Sequence, residues 1–134
     1  MNNLPSGAAR RKPIQHEGNE QEALFDWAAL ARCRFPELDL LYHIPNGGSR
    51  NRLEAAKLRR QGVKSGVPDL CLPVARGGYH GLYIEMKYGK NKTSENQNKW
   101  LADLRAQDYA VAVCYGWQEA QQVITNYLER RKHG

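Results

Sequence analysis

Residues 66–100, GVPDLCLPVARGGYHGLYIEMKYGKNKTSENQNKW, place charged side chains inside otherwise apolar strand patterns. Two strand-like runs, 67–74 and 82–88, are separated by ARGGYHG, a glycine-rich connection that suits a hairpin loop. The two strands are therefore expected to be antiparallel neighbours. In the second run Leu82, Ile84 and Met86 alternate with Tyr83, Glu85 and Lys87, so the two-residue strand period puts a carboxylate and an ammonium side by side on one face. Asp69 is the sole charge of the first run. Buried alone it would be costly, so it calls for a cation or a bound metal.

Asp69 and Glu85 on adjacent strands can together hold Mg²⁺, which prefers oxygen ligands: a few carboxylates, retained waters and substrate phosphate oxygens. Lys87 points at the same spot. Phosphodiester hydrolysis needs a metal to lower the pKa of an attacking water and positive charge where oxygen charge builds up. These residue types in this order therefore point to a metal-dependent nuclease. The plainer reading makes Glu85 and Lys87 a solvated strand face and Asp69 a turn residue. Glu-x-Lys by itself favours that reading, and Asp69 at the mouth of the preceding strand shifts the balance toward a site.

The chain has 134 residues, enough for one domain around a single core. Its formal charge of +6 suggests a polyanionic partner. The basic residues cluster as Arg10, Arg11 and Lys12, then Arg50, Arg52, Lys57, Arg59, Arg60 and Lys64, then Lys87, Lys90, Lys92 and Lys99. That distribution favours nucleic acid, with Arg50, Arg52, Arg59, Arg60, Lys90 and Lys92 as candidate DNA contacts. No apolar run is long enough for a membrane span or a signal peptide, so a cytoplasmic protein is expected. Cys33, Cys71 and Cys114 form no Cys-x-x-Cys pair and read as small buried apolar residues.

Residues 1–15 lack periodicity and read as a mobile basic tail before a single domain over 16–131. From Glu17 the pattern is helical, with Gln21, Leu24, Ala28 and Ala31 on one stripe and Pro36 closing the segment. Glu17 heads that stripe; Glu20 and Glu22 compete with it, and any of the three also reads as favourable charge in the first turns of a helix. Residues 38–44 read as a short buried strand, broken by Pro45-Asn46-Gly47-Gly48. Residues 50–61 read as a basic helix capped by Gly62, either a solvated face or a DNA contact. Ser94 and Gln97 match a capping box, so Gln97 is a cap partner or a polar group aimed at the site, spacing favouring the cap. A strand over 109–115 and an amphipathic helix with Ala120, Val123, Ile124, Tyr127 and Leu128 complete the chain. The order predicts an α/β fold, a mixed sheet flanked by helices.

Asp69 followed by Glu85-Met86-Lys87 resembles the PD-(D/E)XK nuclease signature, with Pro68 before the aspartate. More specifically, residues 43–48 (HIPNGG), 66–70 (GVPDL), 81–87 (GLYIEMK) and Ser94 through Gln97 to Trp100 resemble the stand-alone VRR-NUC domain, over about residues 16–130. The resemblance implies a restriction-endonuclease-like core and Mg²⁺ or Mn²⁺ as cofactor. It implies Asp69, Glu85 and the Met86 carbonyl as metal ligands, Lys87 as the group that positions water and stabilises charge, and Gln97 as the site glutamine. It also places a glutamate four residues before a glutamine in the first helix, which Glu17 and Gln21 match, with Glu20 the fallback; Asn46 would lie near the site, against DNA. Stand-alone members of this kind act as homodimers on branched DNA, including four-way junctions, and a virus or prophage origin fits them. The alternatives are a non-catalytic DNA-binding module of the same fold, or a flap or duplex nuclease without junction preference.

Overall fold

The structure is a computed structural model and describes residues 16–45 and 51–132. The expected basic tail, Asn46 and Arg50 lie outside the described residues. The elements run α1 (Glu17–Ala31), a short 3₁₀ helix (Pro36–Leu40), β1 (Tyr42–His43), α2 (Arg52–Arg60), β2 (Leu70–Leu72), β3 (Leu82–Lys87), α3 (Glu95–Ala106), β4 (Ala110–Tyr115) and α4 (Trp117–Leu128). The strands lie in the order β1-β2-β3-β4. β1, β2 and β3 are successively antiparallel, and β4 is parallel to β3. A parallel neighbour requires a crossover rather than a hairpin, and α3 supplies it. This is the expected α/β architecture with a mixed sheet.

Strand alternation sorts the side chains. Leu70, Leu72, Leu82, Ile84, Met86 and Cys114 form the core with Leu24 and Ala28 of α1 and Ala120, Ile124, Tyr127 and Leu128 of α4. Leu24 and Ile124 are fully buried, each stabilising the fold by roughly 1.5–3 kcal/mol relative to exposure. Tyr127 and Leu128 thus belong to the core, and the Tyr127 hydroxyl donates to the Val74 carbonyl. Tyr83, Glu85 and Lys87 take the opposite alternation, and α3 reaches that side of β3 through the bond from Gln97 to Glu85.

Two local expectations change, the strand over 38–44 and the burial of Cys33, while α2 keeps its solvated face and its Gly62 cap. Residues 38–44 form no continuous strand: Pro36 starts a 3₁₀ turn in which Leu38 and Leu41 are buried and Leu40 is exposed. The three-residue spacing of Leu38 and Leu41 matches the 3₁₀ repeat, leaving only Tyr42 and His43 to pair with β2. α2 buries no residue, and Leu53 is 83% exposed. Its ends are fixed by capping: the Asn51 side chain accepts from Leu53 and Glu54 amides, and Gly62 and Val63 amides return to the Arg59 and Leu58 carbonyls in a Schellman motif with Gly62 at φ +100°. Cys33 is exposed, whereas Cys71 and Cys114 are buried as expected.

Candidate active site

The antiparallel register builds the site. Leu70 pairs with Ile84, so continuing the ladder by one residue sets Asp69 opposite Glu85. The Asp69 Oδ2 accepts the Met86 amide at 2.8 Å, which locks the aspartate to the end of β3. Its backbone carbonyl accepts the Ile44 amide at 2.7 Å, and His43 Nδ1 lies 3.0 Å from the same oxygen, so β1 braces it from the other side. Glu85 is 3% exposed, the one buried charged residue among the described residues. Its Oε2 accepts Gln97 Nε2 at 3.1 Å and lies 3.6 Å from Lys87 Nζ.

Gln97 serves both roles left open by its spacing. Its Oε1 accepts the Ser94 amide at 2.8 Å and its own amide donates to Ser94 Oγ at 3.2 Å, closing the capping box. The Nε2 end of the same side chain reaches Glu85. Thus the cap that starts α3 also orients a donor at the carboxylates.

Burial and then the negative charge of Asp69 push Glu85 up to about 7, against the opposing pull of Lys87. Burial likewise raises Asp69, while the Met86 amide, a hydrogen bond from Glu85 and the field of His43 oppose it. Burial beside the Asp69 charge thus pushes Glu85 toward neutrality. Such crowding of like charges is relieved by a cation in place of the proton. Among the described residues no third His, Cys, Asp or Glu joins the pair to complete a three-residue metal cluster.

This crowding has a stability consequence. Glu85 has a folded-state pKa above its ordinary value of 4.5, so its penalty is absent below that pH, grows between 4.5 and about 7, and is full above. Glu85→Gln, which keeps an acceptor for Gln97 and removes the charge, is expected to stabilise the metal-free protein at pH 8 by about 1–3 kcal/mol and to have little effect near pH 4. Urea denaturation in chelator at both pH values checks this; equal effects at both would contradict it.

The first helix separates its glutamates. After burial, which is the largest cause in both cases, the Glu17 charge raises Asp69 and, behind Asp69 and ahead of Glu20 and Glu85, raises Tyr88. Glu20 Oε1 instead accepts the Trp117 amide at 2.9 Å, capping the start of α4. Tyr88 is not marked by the sequence, because it falls in register with the apolar Leu82, Ile84 and Met86. It nevertheless stands in the field of four carboxylates, and burial and those charges raise its hydroxyl well above the usual range.

The loop before Asp69 is clamped to α3. Asn96 Nδ2 donates to Ser65 Oγ at 3.0 Å, Trp100 Nε1 donates to the Ser65 carbonyl at 3.1 Å, and Gly66, at φ +85°, approaches the Asn96 backbone. A Cβ on Gly66 would lie 2.8 Å from the Asn96 carbonyl carbon. Basic charge is also distributed unevenly. The ion pairs among the described residues use Arg32, Arg34, Arg76, Lys87 and Lys99, while Arg52, Arg59, Arg60, Lys64, Lys90 and Lys92 enter none.

Residues 12–118 match the VRR-NUC domain family. The chain belongs to the VRR-NUC family. A solved structure titled "VRR_NUC domain protein" is similar over 90% of this chain and 94% of that one, at 32% identity and a TM-score of 0.77. No curated protein matches the chain. VRR-NUC domains are nucleases, so the family gives the carboxylates and lysine at the end of β3 a chemical context and implies a DNA substrate. No helix among the described residues of this VRR-NUC chain is long and apolar enough to cross a membrane.

Proposed function

We propose that this VRR-NUC chain is a Mg²⁺- or Mn²⁺-dependent DNA endonuclease whose centre comprises Asp69, Glu85, Lys87 and Gln97, with Glu17 as the first-helix glutamate. The observation that carries the reading is the meeting of Asp69, Glu85 and Lys87 where β2 and β3 run side by side, with one buried carboxylate pushed toward neutrality by the other. The donor set suits a hard cation: Asp69 and Glu85 would hold it, with the Met86 carbonyl as a further oxygen. When bound, such an ion activates water and polarises the phosphoryl oxygens. Gln97 holds Glu85 in place, Lys87 orients the water and meets the charge that develops on the phosphate, and the Met86 amide fixes Asp69. Arg52, Arg59, Arg60, Lys90 and Lys92 supply phosphate contacts, in line with their lack of ion-pair partners among the described residues.

The preferred substrate in this reading is branched DNA, cut by a homodimer. One domain presents one centre, and two symmetric cuts across a four-way junction need two, so a twofold dimer matches the substrate. Cleavage of single-stranded, duplex, flap, fork and four-way DNA with Mg²⁺, Mn²⁺ or chelator tests the activity, and light scattering the assembly. A metal-independent or absent cleavage overturns the nuclease assignment; a monomer cutting duplex as fast as junctions overturns the branched-DNA part alone.

The glutamates of α1 give a sharper test. Glu17→Gln is expected to slow cleavage about tenfold or more, an effect on the order of one lost charge interaction at the site, while Glu22→Gln leaves the rate unchanged. Glu20→Gln should instead lower thermal stability, since it weakens the charged cap on Trp117. A dead Glu20→Gln enzyme with a normal melting temperature would transfer the role to Glu20.

A further inference from the structure

We propose that the cleft between the end of α2 and the outer face of α3 is a strand-binding track. A single-stranded segment beside the scissile phosphate lies there, with phosphates against Arg59, Lys64 and Lys99 and a base against Trp100. The proposal rests on the nuclease reading and deepens it by locating where the substrate strand runs.

A cavity of about 320 Å³ is lined by Arg59, Lys64, Ser65, Asn96, Lys99 and Trp100. A second, of about 390 Å³, shares Lys64, Lys99 and Trp100 and continues along α3 to Asp103, Leu104 and Gln107. Positions 96, 99, 100, 103 and 107 share one side of a 3.6-residue helix, so the two cavities form one continuous groove along α3. Each volume is at the small end of the range of ligand clefts, roughly 300–1,000 Å³, and takes a nucleotide rather than a duplex.

The lining has the composition of a single-strand site, positive charge around an aromatic platform. Arg59 and Lys64 enter no ion pair among the described residues. Lys99 pairs with Asp103 at 2.6 Å, but both groups are largely exposed, and such a pair contributes too little to hold the lysine from a phosphate. Trp100 is already tethered through Nε1 to the Ser65 carbonyl, so a base meets a pre-ordered ring. Both walls lead to the catalytic groups. Ser65 continues through Gly66, Val67 and Pro68 to Asp69, and Asn96 precedes Gln97, whose amide touches Glu85.

The test uses the full chain, a fluorescein-labelled oligothymidine in chelator, and the same strand carrying iodouracil for photocrosslinking. Lys64→Ala/Lys99→Ala should weaken binding about tenfold near physiological salt and reduce the log–log salt slope by about 0.7 per lysine, and iodouracil should crosslink at Trp100. Arg131→Ala/Lys132→Ala, which removes the same charge at the far end of the chain, should change affinity less than about twofold. Equal weakening by the two double variants, or crosslinks that map away from Trp100 with an unchanged slope, overturns the track. Wild-type cleavage is read separately in Mg²⁺. Groove binding without cleavage of any DNA removes the nuclease reading and leaves the track standing. Cleavage with the Lys64→Ala/Lys99→Ala variant unaltered in affinity does the reverse.

Discussion

Asp69→Asn, Glu85→Gln and Lys87→Ala are each expected to lower the cleavage rate by about a hundredfold or more, the effect of removing several kcal/mol of transition-state stabilisation. The three should differ in how they fail. Asp69→Asn and Glu85→Gln remove a carboxylate from a pair that crowds its like charge, so both should weaken metal binding while leaving the metal-free fold intact or more stable. Lys87→Ala removes the cation beside Glu85, 3.6 Å away, which otherwise opposes its rise to about 7, so the proton should compete with the metal already above neutral pH and the fall of metal affinity on acidification should begin at higher pH than in the wild type. Single-turnover cleavage and calorimetric Mg²⁺ titration measure both quantities. Near-normal rates in any two variants would remove these residues from the chemistry.

Gly66→Ala is expected to destabilise the fold by about 2–5 kcal/mol, combining a strained left-handed backbone with overpacking against fixed atoms. The contact is with the Asn96 backbone at 2.8 Å and cannot be relieved by rotating a side chain. Gly78→Ala provides the comparison. Gly78 has nearly the same φ, +86° against +85°, but a Cβ there meets nothing within 4 Å, so only the conformational cost remains. The Gly66 variant should also cleave more slowly in proportion, because the loop it displaces carries Asp69 and the helix it pushes carries Gln97. Equal losses of stability at the two glycines, measured by denaturant melts, would show that the approach to α3 is not tight.

Much of this molecule is legible along the chain because its information is local. A two-residue alternation over 82–87 is enough to put Glu85 beside Lys87, and Ser94 with Gln97 is enough to start α3, since both patterns depend on neighbours within one strand or one turn. The helical stripe of Leu24 and Ala28 and that of Ala120, Ile124, Tyr127 and Leu128 are equally local, and both reach the core. The charge-rich arginines of α2 are read just as directly. Whether that helix buries Leu53 is not, because burial depends on what stands opposite, and nothing covers it among the described residues.

Long-range contacts account for what the chain does not disclose. The choice between Glu17 and Glu20 in α1 is informed by a helix start far along the sequence: the Trp117 amide engages Glu20. Tyr88 follows the apolar register of its strand, so only the convergence of α1 with the ends of β2 and β3 places it among the carboxylates. The dual use of Gln97 arises the same way, its cap being local and its bond to Glu85 tertiary. The amino-acid order by itself determined the elements, their amphipathic faces and the charge they carry. The pairing of Asp69 with Glu85 follows from the hairpin expected over 67–88, but only the tertiary structure decided its exact register and how Gln97 reaches it, because neither the β2–β3 ladder nor the packing of the Gly66 loop on α3 is encoded by spacing along a single element.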